Sequence, residues 1–100
     1  MSLESATQFI RGKAGTGKPL GYRVQFDLGH DGIISWDGTQ SPPVIDNEMH
    51  EAYTIMSISL ANLEALIART LDPTVAYTTG QLTIHGSMGV ALKIGRLFEA

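Results

Sequence analysis

An alternation of apolar and polar residues over positions 22–28 restricts the fold of this chain more than any other feature. Its apolar members are Tyr22, Val24, Phe26 and Leu28. A period of two is that of a strand with one buried face. Asp31-Gly32 follows as a turn signal, and Ile34 and Trp36 then continue as a second strand. The pattern predicts a hairpin with one face turned to the interior.

Further strands are predicted downstream of this hairpin. Pro42-Pro43 cannot lie inside a central strand, so Val44-Ile45 is at most a short edge piece. Residues 52–58 are rich in β-forming side chains, and residues 82–85 are read as a last short strand. The sequence therefore predicts strands in both halves of the chain.

Helical patterns lie at the start, in the middle and at the end. The first apolar helical face consists of Leu3, Ala6 and Ile10. Ser5 and Gln8 stand at the spacing of a capping box, and this helix is expected to end near Gly12. Residues 12–21 then read as a loop.

The middle helix is expected to begin after Ser59, a suitable N-cap residue. Its apolar face consists of Leu60, Leu63, Ile67 and Leu71. Asp72-Pro73 is predicted to end it, because the residue before proline is disfavoured in a helix. Ser87 is predicted to cap a final helix that runs toward Phe98.

The order of the elements is helix, strands, helix, strand, helix, which favours an α+β fold over a regular βαβ array. The length of 100 residues suits one domain, expected to span residues 1–100. The hydrophobic fraction of 43% is near that of globular proteins.

Charge and composition argue against several classes of function. The formal net charge is −3 without a basic run, which disfavours nucleic acid and a polybasic membrane anchor. The sequence contains no apolar stretch of about 18 residues, so stable membrane insertion is not expected. The absence of cysteine excludes disulfides and thiol catalysis. With a polar start and no peroxisomal ending, the expected location is cytoplasmic.

Two short motifs resemble functional signatures but lack a required residue. Residues 12–18 match the first seven positions of a P-loop, yet Pro19 stands where a Ser or Thr must hold magnesium. Residues 85–89 resemble a nucleophile elbow, but His85 stands where that motif needs glycine. The first motif is interpreted as a glycine-rich loop, and Ser87 as a helix cap.

No metal, cofactor or catalytic site is predicted. The three histidines lie on different elements, and none has the i, i+4 spacing of a helical metal site. His50 beside Glu48 and Glu51 is interpreted as a solvated polar loop rather than a metal site. Because no nucleophile is paired with a convincing base, we expect a protein that is not an enzyme.

The second half of the chain resembles the sterol carrier protein type 2 family over residues 50–97. The segments that carry the resemblance are the strand Thr54-Ile55-Met56-Ser57-Ile58-Ser59, the helix of residues 60–69 with Leu71-Asp72-Pro73 after it, the strand Gly80-Gln81-Leu82-Thr83-Ile84-His85-Gly86 and the helix Ser87-Met88-Gly89-Val90-Ala91-Leu92-Lys93-Ile94. The family's middle helix usually begins with acids, whereas this one begins with apolar residues, and the N-terminal region is shorter here.

This resemblance implies a curved, mainly antiparallel five-stranded sheet covered by helices, with an apolar tunnel between them. It implies a lipid-like ligand, namely a sterol, a fatty acid or a fatty acyl-CoA ester. No cofactor is implied. The residues that we expect to contact the lipid, or otherwise to pack in the core, are Trp36, Ile55, Leu63, Leu66, Ile67, Met88, Leu92 and Phe98.

The final helix has a wider apolar face than a helix needs in order to pack against a sheet. One continuous arc is formed by Val90, Ala91, Ile94, Leu97 and Phe98. Met88 and Leu92 extend it by about 100°. A ligand, another subunit or the preceding helix would fill the added face. Gly89 and Gly95 lie inside this helix and weaken it, which predicts a mobile lid over a ligand.

Two functions remain open at this point. The first is a lipid carrier or sensor, favoured by a cavity of about 300 Å³ or more. The second is a non-catalytic scaffold or dimerisation module with a closed cavity, such as an isoprenoid-quinone biosynthesis accessory protein. A filled core with a large two-fold interface in a homodimer would favour the second.

Overall fold

The computed structural model describes residues 2–16 and 19–99. Within them, five strands form one sheet in the order β3-β2-β1-β4-β5. The strands are β1 (Arg23–Asp27), β2 (Ile33–Asp37), β3 (Val44–Asp46), β4 (Thr54–Ile58) and β5 (Leu82–His85). β1 and β4 run parallel, and every other neighbouring pair is antiparallel. The predicted fold class is thus confirmed as α+β with a mostly antiparallel sheet.

The helices pack against one face of this sheet. They are α1 (Leu3–Ala14), α2 (Leu60–Ile67), α3 (Pro73–Thr78) and α4 (Met88–Glu99). The side chains that meet between the layers form one continuous cluster, in which Phe26, Ile34, Leu63 and Ile94 are at most 1% exposed. Burial of this shared apolar surface is what holds the layers together.

The predicted hairpin is confirmed, and its alternation sets the two faces of the sheet. Val24 pairs with Trp36 and Phe26 with Ile34 on the face toward the helices. Gln25 and Ser35 pair with each other on the opposite face. A 3-10 turn at Gly29–Asp31 joins the two strands. The short strand at Val44–Asp46 lies at the sheet edge, as the preceding prolines predicted.

The capping of α1 differs from the prediction. Ser2, not Ser5, is the N-cap, and its hydroxyl accepts a hydrogen bond from the backbone N–H of Ser5 at 3.1 Å. Ser5 stands at the third helical position, and its hydroxyl accepts a hydrogen bond from the backbone N–H of Ser2. The capping box therefore lies three residues earlier than expected. The helix also continues through Gly12 to Ala14. The P-loop-like stretch therefore begins inside a helix, and its Gly17 and Lys18 lie outside the described residues.

The middle of the chain contains two helices rather than one. Ser59 caps α2 as predicted, accepting from the N–H of Asn62 at 3.1 Å. However, α2 ends at Ile67, and Arg69 adopts a positive φ of 63°. Asp72-Pro73 does not end a helix but starts α3, with Asp72 as N-cap and proline in the first turn. Proline is favoured there because its missing N–H has no helical partner to lose.

The turn between β5 and α4 is built around a buried threonine of β4. The hydroxyl of Thr54 accepts a hydrogen bond from the backbone N–H of Ser87 at 3.1 Å. The Ser87 hydroxyl in turn accepts from the N–H of Val90 at 3.3 Å, which confirms the predicted cap. These bonds set where α4 begins and therefore how its apolar face meets the sheet.

Candidate functional site

An apolar cavity of about 90 Å³ lies between α3, α4 and the covered face of the sheet. Its floor comes from β4 and β5, where Met56 pairs with Ile84 and both face the helices. α4 forms the largest part of its wall. The full lining is Met56, Leu66, Pro73, Thr74, Tyr77, Leu82, Ile84, Met88, Ala91, Leu92, Ile94, Gly95 and Phe98.

The side chains on one side of this cavity are unusually exposed for apolar residues. Tyr77 is 44%, Met88 38% and Leu92 46% exposed, whereas Ile94 on the same helix is completely buried. The first three residues therefore form the mouth of the cavity and present apolar surface to the outside. The wide apolar arc predicted for the last helix is present, with Met88 and Leu92 at its outer edge.

A more polar cleft of about 290 Å³ adjoins the cavity. The two spaces share Leu66, Pro73, Gly95 and Phe98 in their walls. Arg69 and Asp72 also line the cleft. The Asp72 carboxylate accepts from the N–H groups of Thr74 at 2.8 Å and Val75 at 3.2 Å, so it serves to cap α3. Arg69 gives this end of the combined space a positive group.

Phe98 ties the far end of α4 to the rest of the core. Its ring lies 6.2 Å from that of Phe26, nearly parallel at 19°. The ring of Phe9 in α1 approaches it edge-on at a centroid distance of 5.7 Å. These geometries are favourable for aromatic pairs. The C-terminal half of α4 is therefore anchored, while its first turns carry the exposed mouth residues.

The structure brings four of the eight predicted contact residues to this cavity, namely Leu66, Met88, Leu92 and Phe98. The other four lie elsewhere. Trp36 and Leu63 are buried in the core, and Ile67 packs at its margin. Ile55 lies on the opposite face of the sheet, because Thr54 and Met56 on either side of it face the helices.

Sequence reasoning missed several lining residues. Pro73, Thr74 and Tyr77 were overlooked because α3 was not expected. Leu82 and Ile84 alternate with polar residues in β5, and this period of two was a usable signal for the covered face. Met56 sits beside another apolar residue, so the pattern alone did not show which of the two faces inward.

A polar cluster lies on the opposite face, where β3 ends. The imidazole Nε2 of His50 lies 2.9 Å from Oδ2 of Asp46. One possible ligand atom from each of Asp46, Glu48 and His50 lies within 4.8 Å of the other two. Carboxylate oxygens and imidazole nitrogens are atoms that bind divalent metal ions. The expected neighbours of His50 were Glu48 and Glu51, and the structure groups Glu48 and Asp46 with it. Burial raises the pKa of Asp46, but the Glu48 backbone N–H and His50 lower it by more.

Comparison with known proteins places the chain in a family. The SCP-2 sterol transfer family matches residues 9–99. The chain belongs to this family. SCP-2 domains usually bind lipids and are typically non-catalytic, although some occur as parts of enzymes. Comparison with curated protein sequences gives no significant match. In the described part of the chain, no helix has both the length and the apolar character needed to cross a bilayer.

Solved structures share the SCP-2 fold at low sequence identity. Sterol carrier protein 2-like 2 from Aedes aegypti has a TM-score of 0.76 and 17% identity over 96% of this chain and 95% of that chain. Its palmitated form gives 0.72 and 18%, over 100% and 96%. The ubiquinone synthesis protein UbiJ-SCP2 gives 0.72 and 14%, over 96% and 91%. The sec-alkylsulfatase Pisa1 from Pseudomonas sp. gives 0.66 and 15%, over 89% of this chain but 14% of that chain.

Proposed function

We propose that this SCP-2 domain binds the hydrocarbon part of a lipid in the apolar cavity under α4. The observation that carries the proposal is a lining of apolar side chains that continues outward through the exposed Met88 and Leu92. A hydrocarbon chain would complete the burial of these side chains, which is favourable at about 25 cal/mol per Å². The family membership and the palmitated relative support the same ligand class.

The size of the cavity requires the ligand to use the adjoining cleft or to displace α4. A volume of about 90 Å³ is well below the lower limit of roughly 300 Å³ for small-molecule sites. With the cleft of about 290 Å³, the combined space is comparable with that limit. A fatty acid would then place its chain in the apolar cavity and its carboxylate near Arg69 in the cleft. We propose fatty acid, fatty acyl-CoA or sterol as ligands, in that order of fit.

The test is displacement of a fluorescent fatty acid from delipidated protein by palmitate, palmitoyl-CoA and cholesterol. Leu92→Ser removes apolar surface at the mouth and should weaken palmitate binding by about tenfold or more. Val75→Ser is the matched control, since Val75 is 49% exposed on α3 but does not line the cavity. Absence of displaceable binding by all three ligands would refute the proposal, as would equal effects of the two variants.

The scaffold function stays a second proposal because of the small cavity. If no lipid enters the cavity, the apolar side chains at its mouth stay exposed to water, and a second copy of the chain would cover them. The likeness in fold to a ubiquinone synthesis protein supports this alternative. Light scattering decides between the two. A dimer that Leu92→Ser dissociates, with no lipid binding, favours the scaffold.

We also propose that residues 1–100 act as one non-catalytic domain in the cytoplasm. The family's usual lack of catalysis supports the first part. Retention of an enzymatic activity by the purified chain would refute it, and imaging of the tagged protein in cells tests the location.

A further inference from the structure

The apolar cavity and the adjoining cleft meet at a boundary formed by four residues. Leu66, Pro73, Gly95 and Phe98 line both spaces. We call this boundary the neck. A ligand with its hydrocarbon chain in the cavity and its head group in the cleft must pass through it. The neck therefore decides which shapes of ligand can use the two spaces together.

The neck is open because position 95 of α4 carries no side chain. A Cβ built on Gly95 would lie 3.5 Å from Cγ and 3.7 Å from Cβ of Pro73. These are ordinary van der Waals distances, so a methyl group fits at this position. Any longer side chain must project into the cavity or the cleft, because Gly95 lines both, or must displace Pro73.

The groups on both sides of the neck are anchored in the core. Pro73 lies in the first turn of α3, a helix whose Ala76 is completely buried. On α4, the ring of Phe98 lies 6.2 Å from that of Phe26, and the ring of Phe9 contacts it edge-on at 5.7 Å. Widening the neck would separate one of these groups from the core, so its width is set by the fold.

The volume beyond the neck also restricts the ligand. The cavity measures about 90 Å³, whereas an engineered apolar cavity of about 150 Å³ binds a single benzene ring. A sterol nucleus consists of several fused rings and is rigid, so it would enter only if α4 left the core. An unbranched alkyl chain is flexible and needs the width of only one methylene group at any point.

The lining of α4 has the shape of a track for such a chain. Met88, Leu92 and Gly95 follow one another on one face of the helix. Seven residues of α-helix cover about 10 Å. The track runs from the exposed mouth at Met88 to the neck at Gly95, and the polar cleft begins beyond it.

We propose that Gly95 determines the specificity of the lipid site, which selects a single unbranched alkyl chain over branched chains and sterol nuclei. This inference rests on the proposed function and narrows its ligand class. The alkyl chain lies along α4 and crosses the neck, and its head group lies in the cleft. A side chain at position 95, a branch on the ligand or a fused ring each obstructs this passage.

The first test compares three ligands on the native protein, by displacement of a fluorescent fatty acid. Phytanate is palmitate with methyl branches along its chain, so it has the same head group and more apolar surface. Burial alone would therefore favour phytanate. We expect palmitate to bind at least about tenfold more tightly than either phytanate or cholesterol.

The second test obstructs the neck. Gly95→Leu places a side chain there, and leucine is a good helix former. This variant should weaken palmitate binding by about tenfold or more. Gly89→Leu is the matched control, because Gly89 is exposed on the same helix and lines neither space. The control should leave palmitate binding unchanged.

A series of saturated fatty acids from octanoate to palmitate distinguishes an obstructed neck from a general loss of packing. In the native protein, each further methylene that is buried should lower the Kd by about fourfold. In Gly95→Leu, the Kd should stop falling once the chain fills the cavity alone. A general loss of packing would instead weaken all chain lengths by the same factor. If circular dichroism shows that Gly95→Leu is unfolded, the comparison of ligands on the native protein decides alone.

Two results would overturn this inference and leave the proposed lipid binding intact. One is binding of phytanate or cholesterol as tight as that of palmitate. The other is a folded Gly95→Leu variant that keeps the native dependence on chain length. Absence of binding by all three ligands would refute the proposed function and this inference together.

Discussion

The hydroxyl of Thr54 accepts a hydrogen bond from the backbone N–H of Ser87 at 3.1 Å and so joins strand β4 to the start of helix α4. Thr54 is completely buried. Ser87 is the N-cap residue of α4, and no helical carbonyl is available to its N–H. A single side chain therefore sets the distance between the sheet and the helix that forms most of the apolar cavity's wall.

Replacing this hydroxyl should destabilise the fold with little change in volume. Thr54→Val leaves the Ser87 N–H without its partner, and we expect a loss of about 1–3 kcal/mol in the free energy of unfolding. Thr83→Val is the control, since Thr83 is exposed on the neighbouring strand β5. Urea denaturation of both variants measures the difference. Equal stability of the two would show that the Thr54–Ser87 bond contributes nothing.

Gly86, between β5 and α4, should tolerate no side chain. Its φ is 115°, and a Cβ built there would overlap the carbonyl oxygen of Tyr53. Strain of this kind costs about 1–3 kcal/mol, and the overlap adds to it. Gly80→Ala is the comparison, because Gly80 also has a positive φ, of 79°, but open space around it. We expect Gly86→Ala to lower the melting temperature clearly more than Gly80→Ala.

Local patterns in the sequence predicted most of the fold. The alternation of residues 22–28 identified β1 and its inward face, and Ser59 and Ser87 marked two helix starts, because capping depends on near neighbours. α3 was missed for a related reason. An aspartate followed by proline both interrupts a preceding helix and starts a new one, and only the tertiary contacts of Ala76, which is completely buried, select the second outcome.

The candidate sites depended more on tertiary structure than the elements did. Ile55 and Met56 are adjacent and both apolar, so their own pattern does not assign either to the helix side. The pairing of β4 with β1 in parallel makes that assignment. A cavity of about 350 Å³ on the face of the sheet away from the helices is closed on one side by residues 47–53, whose route across the sheet follows from the strand order rather than from local sequence.

The pKa of Asp46 predicts a dependence of stability on pH. The pKa of this carboxyl is lowered in the folded state. Its contribution to the free energy of unfolding is therefore fully present above the pKa of the unfolded chain and is lost as the pH falls through the pKa of the folded state. The side chain is 33% exposed, so the effect is small. We expect the free energy of unfolding of Asp46→Asn to fall less steeply with acidification than that of the native chain. Parallel curves from urea titrations across acidic pH would contradict this.

Opening of α4 is the last prediction, and Gly95 tests it. Gly95 lines both the apolar cavity and the adjoining cleft, and a Cβ there would lie 3.5 Å from Cγ of Pro73, an ordinary contact. Alanine therefore fits without a clash and should stabilise α4 by up to about 1 kcal/mol. A Cβ at Gly89 would lie 3.6 Å from the Ser87 hydroxyl, also without a clash, but in the first turn, where the gain is smaller.

The measurements are hydrogen exchange over residues 88–98 and the rate of palmitate release from Gly89→Ala with Gly95→Ala. If α4 is a lid, both should slow while the fold stays intact, because the ligand leaves through the opening of this helix. Since Phe98 anchors the C-terminal half, the slowing of exchange should be largest near Met88 and Leu92. Slower exchange with unchanged release would mean that the lipid leaves by the cleft at Arg69 and that α4 is a fixed wall.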